Sequence, residues 1–295
     1  CYYCNFIADG NKIIQRSTAI VYPYLAYIYY AGYYNATVPS MFSNNELIGY
    51  STSTYYGMYL YSTNKLNIYN NSIYMSGTGG VRSIYVYSST ASNYDIKNNI
   101  IIMNAGTSGT ALYFAGTTTP FTSDYNCLYS NGYIGYFGAT RTSLLDWQTA
   151  TTRDSNSLSI NPSFIDVNSS LELSDYSPFI VPRLNDVAVD INDNKRTSYT
   201  TMGAYGVALF EGNNLALKSF LSQDEANDIH CFSNYTNIQV IVKNEGTEHY
   251  QFNIHNMLLS LEVSGAIHFK VDTLIKAGAL LAAQNDTFEI TKVLP

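Results

Sequence analysis

Leu66-Asn67-Ile68-Tyr69-Asn70-Asn71-Ser72-Ile73 returns as Tyr94-Asp95-Ile96-Lys97-Asn98-Asn99-Ile100-Ile101, and again as Thr122-Ser123-Asp124-Tyr125-Asn126-Cys127-Leu128-Tyr129. Read this way, the lead Asn stands at 70, 98 and 126, two steps of 28 residues. Phe42-Ser43-Asn44-Asn45-Glu46-Leu47 has the same shape 26 residues before the first copy. A second landmark keeps pace: Tyr59, Tyr85 and Tyr113 each follow an Asn (44, 70, 98) by 15 residues. A unit of this length cannot bury its own apolar face, so it must stack on its neighbours as a solenoid.

The runs inside the unit alternate with period two: Met58-Tyr59-Leu60-Tyr61, Ile84-Tyr85-Val86-Tyr87, Leu112-Tyr113-Phe114-Ala115. Aliphatic, Tyr, aliphatic, Tyr is a strand with one buried face. Two further short runs flank each Asn pair. The fold class is therefore all-β: a right-handed parallel β-helix with three strands per coil and a repeat of ~28 residues. The predicted inward set is Met58, Leu60, Ile68, Ile73, Met75, Ile84, Val86, Ile96, Ile101, Met103, Leu112 and Phe114. Asn44, Asn70, Asn98 and Asn126 are read as a structural ladder, because Asn tolerates the left-handed conformation of a tight corner and can bond its counterpart in the next coil. In this alignment Cys127 replaces the second Asn of the pair.

Only 13% of the 295 residues are charged, whereas 29 are Tyr, and the net charge is −7. That balance points to an extracellular all-β surface. Lys and Arg are scattered singly, which excludes a nucleic-acid footprint, and no apolar run is long enough for a membrane span. Cys1, Cys4, Cys127 and Cys231 make no disulfide framework, and Cys1-Tyr2-Tyr3-Cys4 lacks the second pair or nearby His of a zinc site. Residues 1–40 are expected to hold one or two irregular coils. Tyr27-Ile28-Tyr29 is a strand there, and Cys4-Asn5-Phe6-Ile7 a decayed copy of the corner. The first coil has no evident cap, so further coils and a leader are expected upstream.

After Asn126 the period breaks. Ser143 is placed to cap a short helix carrying Leu144, Leu145 and Trp147. From Leu144-Leu145-Asp146-Trp147-Gln148 the chain runs through Asp154-Ser155-Asn156-Ser157, Pro162-Ser163-Phe164 and Ser177-Pro178-Phe179-Ile180. It continues through Asp190 with Arg196 to Gly203-Ala204-Tyr205. This order of motifs resembles the C-terminal end of bacterial right-handed parallel β-helix proteins of the pectin-lyase-like superfamily, over about residues 40–205. It departs from their pattern at Asn161, Val181, Arg183, Asp193 and Gly206. The resemblance implies a β-helix over 1–205 with its cap at about 140–205. Residues 206–214 are read as a linker. Residues 215–295 show strand runs at 215–221, 237–246, 254–263, 266–274 and 287–293 and carry all four His. With Val240, Val242, Asn244 and Gly246 they look like an adhesion-related Ig-like (CARDB-like) module, a partial β-sandwich expected to continue past Pro295.

A lyase needs a base beside a carboxylate-held calcium, and a glycosidase needs two facing carboxyl groups. Residues 40–140 offer Glu46, Asp95 and Asp124 as acids and Lys65, Arg82 and Lys97 as bases. Asp95 aligns with Asn67 and Ser123, and Asp124 with Ile96, so the acids share no stacked position. No catalytic residue, metal ligand or cofactor is assigned. Asp224 to Asp228 is an acidic loop that would hold calcium only weakly, and His249 with His255 lack a carboxylate partner. The ligand-binding candidates are Tyr59, Tyr61, Tyr85, Tyr87 and Tyr113, an outward strip on which sugar rings could lie. The expected protein is a monomeric, non-catalytic domain of a secreted or bacterial cell-surface protein, used for adhesion or display, with a polysaccharide or surface glycan as partner. The alternative is a polysaccharide lyase or glycoside hydrolase whose catalytic coils lie upstream.

Overall fold

The computed structural model describes residues 4–15, 24–32, 38–87, 93–209, 212–222, 235–263 and 269–293. Cys1, His230, Cys231, His268 and the acidic loop 224–228 lie outside the described residues. The protein is all-β, and the predicted solenoid is present. Three parallel sheets each receive one strand per coil. The first contains Ile7–Asp9, Ser40–Ser43, Leu66–Tyr69, Tyr94–Lys97 and Phe121–Asp124. The second contains Lys12–Gln15, Glu46–Ser51, Ser72–Gly77, Ile100–Ala105 and Cys127–Ser130. The third contains Tyr24–Tyr29, Tyr55–Tyr61, Val81–Tyr87, Thr110–Phe114 and Tyr133–Phe137, closed by an antiparallel strand, Ala139–Arg141.

Period-two alternation decides which side chains enter the bore. All twelve predicted inward residues are at most 1% exposed. The core they form also takes in Tyr55, Tyr94, Phe121, Leu128 and Trp147. Burial of this continuous apolar column is the main force holding the coils together.

At the corner between the first and second sheets, two adjacent positions divide the work. Asn44, Asn70 and Asn98 take the left-handed conformation (φ 52°, 51° and 58°) that turns the chain. Their successors form the buried stack. Asn45 Nδ2 donates to Asn71 Oδ1, Asn71 Nδ2 to Asn99 Oδ1 and Asn99 Nδ2 to Asn126 Oδ1, each at 3.0 Å. Below Asn45, Asn11 Nδ2 donates to Asn45 Oδ1 at 2.8 Å. Asn126 therefore belongs with Asn45, Asn71 and Asn99, not with Asn44, Asn70 and Asn98. The left-handed residue of its coil is Tyr125 (φ 55°). The steps along the stack are 34, 26, 28 and 27 residues. The last coil is one residue shorter than the 28-residue alignment assumes, which moves every position after it. Cys127 accordingly pairs with Ile100, Asp124 with Lys97, and Thr122 with Asp95. The first corner is Gly10-Asn11, with Gly10 at φ 68°, and not Asn5.

The end of the solenoid is closed by the helix Leu144–Thr151, whose N-cap Ser143 accepts from the Asp146 N–H. Trp147 is fully buried, and Gly135 makes room for it: a Cβ there would stand 2.2 Å from the indole. The chain then returns past the left-handed Asn row. Asn44 Nδ2 donates to Val189 O at 3.0 Å, Asn70 Nδ2 to Thr201 O at 3.3 Å and Asn98 Nδ2 to Pro182 O at 2.9 Å. Buried Arg196 bonds Asn44 Oδ1 (3.0 Å) and the carbonyls of Val189, Thr201, Gly203 and Ala204. Asp190 accepts from the N–H groups of Asn192, Asn194 and Gly206. A side chain at 206 would approach Arg196 Nη1 to 2.7 Å, which is why Gly suits this position.

A second compact unit comprises 208–295 together with 175–178. Its sheets are antiparallel: Leu215–Ser222, Tyr235–Asn244 and Asn285–Val293 in one, and Met257–Val263 with Phe269–Ile275 and Tyr250–Gln251 with Ala279–Leu280 as pairs. Val240, Val242, Phe252, Met257, Leu280 and Ile290 form its core. Among the described residues, no helix is long and apolar enough to cross a membrane.

Candidate functional site

The outer face of the third sheet is paved with tyrosine, because the residues between the buried aliphatics are Tyr in successive coils and the parallel register superimposes them. Tyr27 pairs with Tyr59, Tyr59 with Tyr85, Tyr85 with Tyr113 and Tyr113 with Tyr136. The ring centroids follow at 5.4, 5.0, 5.0 and 4.4 Å. A second file runs beside it, with Tyr29 4.9 Å from Tyr61 and Tyr61 5.1 Å from Tyr87. On the other flank Tyr24 stacks on Tyr56 at 5.4 Å. All five predicted strip residues thus share one face. Tyr24, Tyr27 and Tyr87 are exposed, and Tyr59, Tyr61, Tyr85 and Tyr113 half-buried. Such pairs contribute about 0.5–1.5 kcal/mol each beyond area burial.

The sequence reading left Tyr24, Tyr27, Tyr29, Tyr56, Tyr136 and Arg82 out of the strip. Tyr27-Ile28-Tyr29 carries the same alternation, and Tyr133-Ile134-Gly135-Tyr136 repeats it once more. Both were legible as strands but not in register, since 32 residues separate Tyr27 from Tyr59 and 23 separate Tyr113 from Tyr136. Arg82 takes the place that Tyr56 holds one coil earlier. Its guanidinium lies 4.4 Å from the Tyr113 centroid, 5.1 Å from Tyr85 and 5.6 Å from Tyr56. Burial pushes the Tyr59 phenol above its ordinary range, and the neighbouring phenols Tyr85, Tyr24, Tyr56 and Tyr27 add to the shift. Tyr85 is raised for the same first reason, opposed by Arg82. The face thus gathers phenols around the Arg82 guanidinium.

The candidate acids sit elsewhere, each engaged. Glu46 is fully buried, pairs with Lys12 Nζ at 2.9 Å and accepts from Leu171 N at 3.0 Å. Asp124 staples the corner by accepting from Asn156 N (2.7 Å) and Nδ2 (2.8 Å). Asp95 accepts from the Tyr69 and Thr122 hydroxyls and from Lys97 Nζ at 3.0 Å. It lies on the floor of an open cleft of about 400 Å³ on the first sheet, flanked by Lys65 and Arg153. Among the described residues no three His, Cys, Asp or Glu side chains converge. His249 Nδ1 accepts from Ala282 N at 3.1 Å, and the His255 ring lies 6.0 Å from Tyr250. Cys4 is disulfide-bonded. Cys127 is a buried free thiol that donates to Ile160 O at 3.3 Å, and burial pushes its pKa up to about 12. No family model, curated protein or solved structure matches the chain.

Proposed function

We propose that the protein is a non-catalytic, extracellular scaffold that binds an extended glycan along the tyrosine face of its third sheet. The observation that carries this reading is the file of five rings, Tyr27, Tyr59, Tyr85, Tyr113 and Tyr136, separated by 4.4–5.4 Å. The rings lie largely face to face along the file, so they turn edges and hydroxyls outward, where sugar CH groups and hydroxyls can meet them. Linear polysaccharides advance by about one sugar for each solenoid rung of ~4.8 Å. Restraint of the rings by their neighbours lowers the entropy lost on binding. That Glu46, Asp95 and Asp124 are each engaged in the hydrogen bonds of the fold weighs against hydrolysis or elimination in these coils. The low charge, the resemblance of 40–205 to right-handed pectin-lyase-like surface solenoids and the Ig-like pattern of 240–246 support a role in adhesion or display on a bacterial surface.

A glycan array with the wild type and the Y59A/Y85A/Y113A variant tests this. Binding to linear glycans, lost in the variant while it still melts cooperatively at a lower temperature, is the expected result. Equal binding by both proteins removes the reading.

A further inference from the structure

We infer that Arg82 makes the tyrosine face selective for glycans bearing an oxyanion, either a uronate carboxylate or a sulfate ester. The inference rests on the proposed glycan-binding role of that face. Arg82 occupies a register position where the two preceding coils carry Tyr24 and Tyr56, so its charge is set inside the aromatic field and not at its margin. The guanidinium lies over three ring faces and donates Nη1 to Tyr56 Oη at 3.2 Å. A guanidinium has five N–H donors in a planar fork, so this contact leaves most of the fork unused.

None of the ion pairs Lys12–Glu46, Lys97–Asp95 and Lys218–Glu245 involves Arg82. Ring quadrupoles attract the cation but do not neutralise it. The surrounding phenols fix its position and thin the water around it, which strengthens a pairing with an incoming anion. A planar fork held in this way matches the two oxygens of a carboxylate or sulfate. A neutral sugar would contact the same ring edges and hydroxyls but leave the fork to water. An anionic group on one sugar in the chain would also set the register of the polymer along the file, since only one rung carries the cation.

The test is calorimetric titration with three length-matched probes: oligogalacturonate, a sulfated galactan oligosaccharide and a neutral cello-oligosaccharide. The wild type should bind at least one anionic probe roughly tenfold or more tighter than the neutral one, as one charge-assisted contact allows. R82Q should lose that preference, R82K should keep part of it, and raised salt should erode it in the wild type and R82K alike. The carboxylate and sulfate arms tell which anion the fork fits. Equal binding of neutral and anionic probes by the wild type, or an unchanged preference in R82Q, overturns the inference and leaves the glycan-binding role standing. Binding of no probe overturns both.

Discussion

Asn126 Nδ2 donates to Asp154 Oδ1 at 3.0 Å, and with that bond the column of buried amides ends on a carboxylate. The same oxygen accepts from Ser123 Oγ (2.9 Å) and Ser157 Oγ (2.7 Å), and Oδ2 accepts from the Trp147 indole N–H at 2.7 Å. Asp154 so ties the last rung of the ladder to the aromatic plug at the end of the bore. An anionic, acceptor-only group suits a place where four donors converge. In D154N an amide N–H₂ must face one of those donors. The expected cost is about 1–3 kcal/mol of unfolding free energy, measured by denaturant titration, with the indole emission shifting as Trp147 loses its anchor. An unchanged midpoint would mean that Asp154 is dispensable.

The two Asn rows should respond differently to substitution. Asn99 donates to Ile68 O, Lys97 O and Asn126 Oδ1 and accepts from Asn71 N and Nδ2. N99A strands several buried groups and should cost roughly 3 kcal/mol or more. The Asn98 side chain makes one bond to the returning segment, whose Gly203 N–H also donates to the Asn98 carbonyl, and the residue holds φ 58°. N98A should cost roughly 1–2 kcal/mol, the strain of Ala in that conformation, and N98G less. Thermal melts of the three variants check this order, and N98G as damaging as N99A would contradict it.

Tyr55 lies wholly inside the bore, and its hydroxyl has no partner among the described residues. Gly49 makes room for it, since a Cβ would stand 2.3 Å from the phenol oxygen. Y55F, which removes a stranded hydroxyl, should therefore raise stability by about 1 kcal/mol. G49A should lower it by about 1–3 kcal/mol through overpacking. Loss of stability in Y55F would reveal a partner for the hydroxyl.

Much of this architecture was legible beforehand, and the reasons are local. Alternation at Met58–Tyr61, Ile84–Tyr87 and Leu112–Ala115 can serve only one sheet geometry, so the bore-lining residues could be named without coordinates. Ser143 announced the helix because an Oγ acceptor before an apolar run has few other uses. The division of labour between the Asn rows was hidden. Asn-Asn appears three times in the coils, and either member could be the one that stacks until Asn126 is seen following a left-handed Tyr125. A coil shorter by one residue leaves no mark in composition, and the cue lay in aligning Leu128 with Ile101. Arg82 escaped because a lone cation on a strand says nothing until the register places rings on three sides of it.

Alkali should unfold the solenoid cooperatively. Burial first, then neighbouring phenols, raise Tyr27, Tyr59 and Tyr61 above the ordinary value of 10.0. For Lys12, burial lowers the pKa, but Glu46 and Tyr205 together outweigh it and the net shift is also upward from 10.5. Groups raised in the folded state give their full contribution below their unfolded pKa and lose it as pH climbs through the folded one. Stability should hold up to about pH 10 and then fall, with phenolate absorbance appearing together with loss of the β-sheet circular dichroism. Phenolate growing smoothly near pH 10 over intact sheets would contradict this.

In the proposed function the tyrosine file serves as a linear binding track. Its most direct test is calorimetric affinity as a function of chain length, using cello-oligosaccharides and oligogalacturonates from two to eight sugars. Affinity should climb with each added sugar until about five rungs of the file are covered and then level, with the climb abolished in Y59A/Y85A/Y113A. Affinity independent of length, or a climb that survives in that variant, would contradict it.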